Sequence, residues 1–218
     1  MVMNMMDRIE KVSLCHDQKK LAEDLKCYVK LAIDSGASDA AVVSTDQIVV
    51  DERVLLKCRF PLCSEYGACI NCPPHTGTIE QLRNRIRLYN NAVVVRIGVP
   101  SENIVGAAAR GDTGVEDLKK LISIISRVES AAFYDGYYFA AAFSSASCHF
   151  VWCRGMECQA LAGKGCRHRV RAYASMEAVG IDVFRLAATV GWDIYPIGMS
   201  ATADRFPMAS RIGMVLIQ

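Results

Sequence analysis

Eight of the ten cysteines in this chain fall into two groups, Cys58, Cys63, Cys69, Cys72 and Cys148, Cys153, Cys158, Cys166. Soft thiolate ligands grouped in this way select zinc or iron-sulfur centres, so the two tetrads read as two soft-metal sites, each on its own loop. The first group closes as Cys-Ile-Asn-Cys-Pro-Pro, from Cys69 to Pro74. A closing Cys-x-x-Cys-Pro is the ending of bacterial ferredoxin-type iron-sulfur runs. Gly67 permits a positive φ, Pro73 and Pro74 fix the exit chain, and the remaining loop amides are free to donate to sulfur.

The second group runs Cys148-x4-Cys153-x4-Cys158-x7-Cys166 and continues into Arg167, His168, Arg169, Val170 and Arg171. Structural zinc favours two short Cys-x(2–4)-Cys knuckles, and these irregular gaps suit a cluster better. Zinc stays open as the alternative. Cys15 and Cys27 stand apart and read as small buried hydrophobes.

Disulfides are the other common use of many cysteines, and they concentrate in short secreted domains that lack a core. Here 218 residues, 52% of them apolar, can bury a core without staples. The N-terminal residues Met1 to Lys11 carry charges where a signal peptide needs an unbroken apolar run. No stretch reaches the eighteen or more apolar residues of a membrane span. The expected setting is cytoplasmic and reducing. A formal charge of +2 lacks the basic excess of a phosphate-gripping protein, so nucleic acid is not the expected partner. With no repeat or long linker, residues 1–218 read as a single domain with metal-binding loops near 58–74 and 148–168.

Leu21, Leu25, Tyr28 and Ala32 recur at helical spacing up to Gly36, which suits a left-handed cap, and a strand follows over Ala40 to Ser44. Thr78-x-x-Gln81 forms a capping box before Ile79, Leu82, Ile86 and Tyr89, and Ala92 to Val99 reads as a buried strand. Thr113-x-x-Glu116 opens a helix with the face Leu118, Leu121, Ile122, Ile125 and Val128, leading to a strand over Tyr137 to Phe143. Ser175 caps a further helix carrying Met176, Val179, Val183, Leu186 and Val190 up to Gly191. Strands over Asp193 to Ile197 and Ile212 to Ile217 complete the pattern. Helices alternating with strands predict an α/β layered sandwich with a mixed, largely parallel sheet and the cysteines on loops.

His75 and His149 flank the cysteine groups and read as hydrogen-bond partners of ligands or as solvated side chains. The basic stretch from Arg167 to Arg171 either offsets a thiolate-bound cluster and holds an anion near the Ser175 helix, or is a solvated loop. Gly106, Gly111 and Gly114 lack the spacing of a phosphate loop and read as a turn. The aromatic run Phe133, Tyr134, Tyr137, Tyr138 and Phe139 reads as core.

Tyr66-Gly67-x4-Cys72-Pro73-Pro74, then Gly163-Lys164-x-Cys166-Arg167-His168, then Ser175-Met176-Glu177-Ala178-Val179-Gly180-Ile181-Asp182-Val183 together resemble the family of predicted metal-binding proteins called domain of unknown function 2284. The resemblance spans Cys58 to Gly191 and implies a metal-binding protein of iron-sulfur type, typical of anaerobic metabolism. Cys166 carries over by its local context, and Cys148, Cys153 and Cys158 by order alone. The expectation is one or two 4Fe-4S clusters on the eight cysteines, with Arg167 and His168 beside the cofactor, serving electron transfer with a ferredoxin or a reductase as partner. Two other readings are an enzyme with an open-site cluster acting on a small anionic substrate, and a zinc-stabilised binding module.

Overall fold

The computed structural model describes residues 9–13, 17–106, 111–198 and 200–218. The start of the N-terminal stretch, Cys15 and the centre of the Gly106–Gly114 turn lie outside them. In chain order the elements are α1 (Gln18–Asp34), β1 (Asp39–Ser44), α2 (Glu52–Arg59), α3 (Ile79–Ile86), β2 (Asn91–Val99), α4 (Asp112–Tyr134), β3 (Ala141–Phe143), α5 (Cys148–Trp152), α6 (Val183–Thr189) and β4 (Ala209–Ile217). The strands form one sheet in the order β1-β2-β4-β3.

Every pairing in that sheet is antiparallel, which corrects the largely parallel arrangement expected from the alternation of helices and strands. The alternation is real: β2, α4 and β3 form a crossover between strands that run the same way. The last strand, β4, enters between those two and runs against both, so no parallel neighbours remain.

Alternation of side chains across the pleat divides the core in two. Val93, Val95, Ile97, Val215 and Ile217 pack under α1 and α4, where Tyr28, Leu121, Ile125 and Val128 are buried. Ala92, Val94, Ile212, Met214 and Leu216 face α3 and α6, against Ile79, Leu82, Ile86 and Leu186. Each such Val, Leu or Ile contributes ~1.5–3 kcal/mol by leaving water. Gly213 lets α4 approach the sheet, since a Cβ there would stand 3.0 Å from Ile125 Cγ2 and 3.1 Å from the Phe143 carbonyl oxygen.

Local signals set most helix ends. Gly36, at φ 101°, closes α1 with bonds from Gly36 N–H to Ile33 and from Ala37 N–H to Ala32, a Schellman arrangement. The capping box on α3 forms as expected, with Thr78 Oγ1 accepting from Gln81 N–H at 3.2 Å and Gln81 Oε1 accepting from Thr78 N–H at 3.0 Å. The box at Thr113 does not form, because the N-cap of α4 is Gly111, two residues earlier, and Thr113 already lies inside the helix.

Several expected elements are shorter or absent. Only Ala141–Phe143 of the Tyr137 strand pairs, because a Gly136 turn carries the preceding residues, and Asp193 to Ile197 is not a strand. The Ser175 helix is instead a single 3-10 turn, Glu177–Val179, ended by Gly180 at φ 90°, before Asp182 caps α6. A Cβ on Gly180 would run into Ile79 Cδ1, so the break is where this segment meets α3. Cys27 is exposed on α1, not core, and of the aromatic run only Tyr137 is fully buried, with Phe133, Tyr138 and Phe139 exposed.

Candidate metal centre

Neither cysteine group lies wholly in loops. Cys58 stands on α2, and Cys148 opens α5, directly after β3. Ser147 caps α5 by accepting from His149 N–H at 3.2 Å, which fixes Cys148 at the helix start. The Cys63 to Pro74 loop turns over against this point. Its Gly67 N–H donates to the Pro73 carbonyl at 2.7 Å, with Gly67 at φ 73°, and Cys72 N–H donates to the Cys69 carbonyl at 3.2 Å.

The two sequence groups therefore meet. Cys69, Cys72 and Cys148 are all buried and pack as one cluster, lined by Trp152, Cys158 and Ala172. Cys148 Sγ lies 3.9 Å from Cys69 Sγ. Asn71, between the two cysteines of the Cys-x-x-Cys run, donates from Nδ2 to the Ala172 carbonyl at 2.7 Å and to Cys148 Sγ at 3.5 Å. It ties the first loop to the second through a sulfur. Ser147 Oγ stands 3.6 Å from Cys69 Sγ and donates to Glu65 Oε2 at 3.0 Å.

These contacts divide the protons among the sulfurs. Hydrogen bonds from Cys148 and Cys72, aided by Ser147 and the Asn71 N–H, pull the Cys69 thiol well below the ordinary range despite burial. Cys72 and Cys148 move the other way, first as donors to Cys69 and then by burial. Metal binding at such a cluster requires its thiols to give up their protons.

The remaining sulfurs surround this pair of loops. Cys58 and Cys63, joined by the Cys63 N–H bond to the Cys58 carbonyl at 3.0 Å, line a cavity of about 300 Å³ with Cys72, Glu65, Tyr66 and Phe150. Burial raises the Cys58 thiol, and the charges of Cys63 and Glu177 add to it. On the other side, Cys153, Cys158 and Cys166 are half-buried. Burial raises the Cys153 thiol, Arg167 opposes the rise, and nearby Cys166 and Cys158 reinforce it. Cys166 Sγ accepts from His168 N–H at 3.3 Å. Among the described residues no three His, Cys, Asp or Glu side chains already stand in the positions of a finished metal site.

The flanking residues have specific tasks. His149 bridges Glu65 Oε2, at 3.0 Å from Nδ1, and the Met156 carbonyl, at 2.7 Å from Nε2. Burial disfavours its charged form, but the Met156 carbonyl and the Glu65 carboxylate outweigh that and raise its pKa. His75 is exposed. Arg167 donates to the Glu157 carbonyl at 2.7 Å, which pins the loop between Cys158 and Cys166. The His168 ring stacks on Trp152, with centroids 5.7 Å apart, and the Arg171 guanidinium also lies over the Trp152 ring, 5.8 Å from its centre. With no Ser175 helix, the expected anion site at its N-terminus has no basis.

Sequence reasoning missed Glu65, Asn71, Ser147 and Trp152. A Ser directly before Cys148 is a helix-start signal that could have placed Ser147, and Asn71 lies inside the motif itself. Glu65 and Trp152 carry no such signal, because their partners are distant in the chain.

The family model described as predicted metal-binding protein (DUF2284) matches residues 41–217. Comparison with the curated proteins and with the solved structures gives no match. The match takes in all eight grouped cysteines and every strand except the first two residues of β1. On that extent of agreement, the chain belongs to the family of predicted metal-binding proteins of domain of unknown function 2284.

Proposed function

We propose that this chain is an iron-sulfur protein, with clusters of the 4Fe-4S type held by thiolates from its eight grouped cysteines. The observation that carries this reading is the cavity of about 300 Å³ walled by Cys58, Cys63 and Cys72, beside the buried Cys69 and Cys148 sulfurs. One water claims ~30 Å³, so the space suits a multi-atom inorganic group rather than a lone ion. The residues fit such a group chemically. Asn71 and the His168 amide point donors at two of the sulfurs, Cys148 and Cys166, which is how a protein stabilises anionic thiolate ligands. A bound cluster supplies one-electron redox chemistry at a potential set by those donors and by burial. Arg167 and His168 hold the loop that presents Cys166, and a ferredoxin or a reductase is the matching partner.

One observation favours zinc. Four sulfurs placed tetrahedrally at ~2.3 Å from one ion stand ~3.8 Å apart, close to the 3.9 Å between Cys69 and Cys148. Anaerobic isolation separates the two. Iron and acid-labile sulfide in near-equal amounts with a brown colour support the cluster, and one or two zinc ions per chain without visible absorbance overturn it.

A further inference from the structure

Trp152 packs against the buried cysteines and also against Leu118 and Ile122 of α4. The same indole lines a cavity of about 480 Å³, together with Lys119, Ile122, Ser123, Ser126, Arg127 and Arg171. Lys119, Ser123 and Arg127 follow one another at four-residue steps along α4, so they share one face of the helix. Arg171 arrives from the far end of the chain and is fixed by the indole, whose Nε1 donates to the Arg171 carbonyl at 3.0 Å. The Arg171 guanidinium and the Lys119 ammonium each stand 5.8 Å from the Trp152 ring centre. The indole therefore gathers cations from two distant segments at one place.

Three positive side chains line this cavity, and among the described residues no carboxylate does. The acids of α4 nearby are engaged: Glu116 pairs with Lys119 at 2.7 Å, and Glu129 accepts from the Ala142 N–H and the Tyr173 hydroxyl. The Glu116 side chain is 69% exposed, so that pair is weak and exchangeable. Neither Arg127 nor Arg171 has a carboxylate partner among the described residues, and both are exposed, so an incoming ligand can reach them. Like charges gathered in this way repel one another, and a cleft lined by one sign of charge concentrates ions of the opposite sign.

We propose that this cavity binds a small organic phosphate, with Arg127, Arg171 and Lys119 around the phosphate and the organic part against Trp152 and Ile122. A carboxylate brings one negative charge to three cations, whereas a phosphate ester brings about −1.5 to −2 and three strong acceptor oxygens. Guanidinium forks match two of those oxygens at once, and the exposed Ser123 hydroxyl is a further donor. Ser126 is already bonded to the Tyr173 side chain and shapes the wall. The volume lies within the ~300–1,000 Å³ of small-molecule sites. A bound phosphate would stand across Trp152 from Cys69, Cys72 and Cys148.

This inference does not depend on which metal the cysteines hold. Titration calorimetry of the full chain at low salt, with phenyl phosphate, inorganic phosphate and benzoate as probes, tests it. Phenyl phosphate is expected to bind saturably at one per chain and more tightly than inorganic phosphate. Benzoate, which keeps the ring but carries a single charge, should bind about tenfold more weakly or not at all. Arg127→Gln and Arg171→Gln should each weaken phenyl phosphate about tenfold, as a lost hydrogen bond to a charged group does. Lys30→Gln, an equal loss of charge on an exposed part of α1, should leave the affinity unchanged. No saturable binding, benzoate or inorganic phosphate bound as tightly as phenyl phosphate, or equal affinities in the Arg171→Gln and Lys30→Gln variants overturns the assignment. In that case the cations serve only to offset the charge of the cysteine region.

Discussion

Cys69, Cys72 and Cys148 are buried beneath two loops, with a donor from Asn71, the Ser147 hydroxyl against Cys69 and a hydrogen-bonded thiol network, whereas Cys153, Cys158 and Cys166 lie half-buried on a loop held by Arg167. The buried set draws members from both halves of the chain. The more open set comes from one continuous segment. On the proposed reading, a centre of the first kind draws on α5, which follows β3 and its pairing with β4, so metal binding there would be linked to completion of the fold. The second kind can gather ligands through loop motion alone.

Substituting one member of each set breaks this comparison most sharply. Cys148→Ser should lose metal from the buried centre altogether, exceeding the ~10–100-fold loss typical for a hydrogen-bond partner of a ligand. Cys153→Ser should leave the Cys69, Cys72 and Cys148 centre loaded. Metal analysis of the two purified variants checks this, and equal losses would erase the distinction between the sets.

Asn71→Ala removes a donor to Cys148 and the tie to Ala172 while retaining all sulfurs. A drop in metal affinity of ~10–100-fold is expected, measured by competition with a chelator. Wild-type affinity in this variant would mean that Asn71 serves the loop alone.

Leu121→Ala tests the scaffold instead of the site. Leu121 is fully buried between α4 and the sheet, and its truncation should cost ~2–5 kcal/mol in denaturant unfolding without changing metal content below the transition. The smallest effect belongs to Cys27→Ser. Because that thiol is exposed on α1, stability should stay within ~0.5 kcal/mol and metal content should not change.

The scaffold was legible where periodicity and caps are local. The faces of α1 and α4, the Thr78 box and the runs forming β1, β2 and the core of β4 are all read from neighbouring residues. Sheet order was not legible, because nothing within β4 announces that it enters between β2 and β3. The Ser175 helix failed for a long-range reason: Gly180 gives way to Ile79 across the interface, and a helical spacing of apolar residues does not reveal that contact. The same limit governs the candidate site. Its cysteines stand out by spacing, but the meeting of Cys148 with Cys69, and the Glu65 and Trp152 contacts around it, exist only after the loops are brought together.

X-ray absorption at the metal edge of the anaerobically isolated chain tests the central claim most directly, because it reports the ligands and the neighbouring metals of the same atom. The account predicts an iron edge with a first shell of sulfur and a second shell of iron. A zinc edge with sulfur ligands and no metal neighbour would contradict it and leave the cysteine cluster as a mononuclear site.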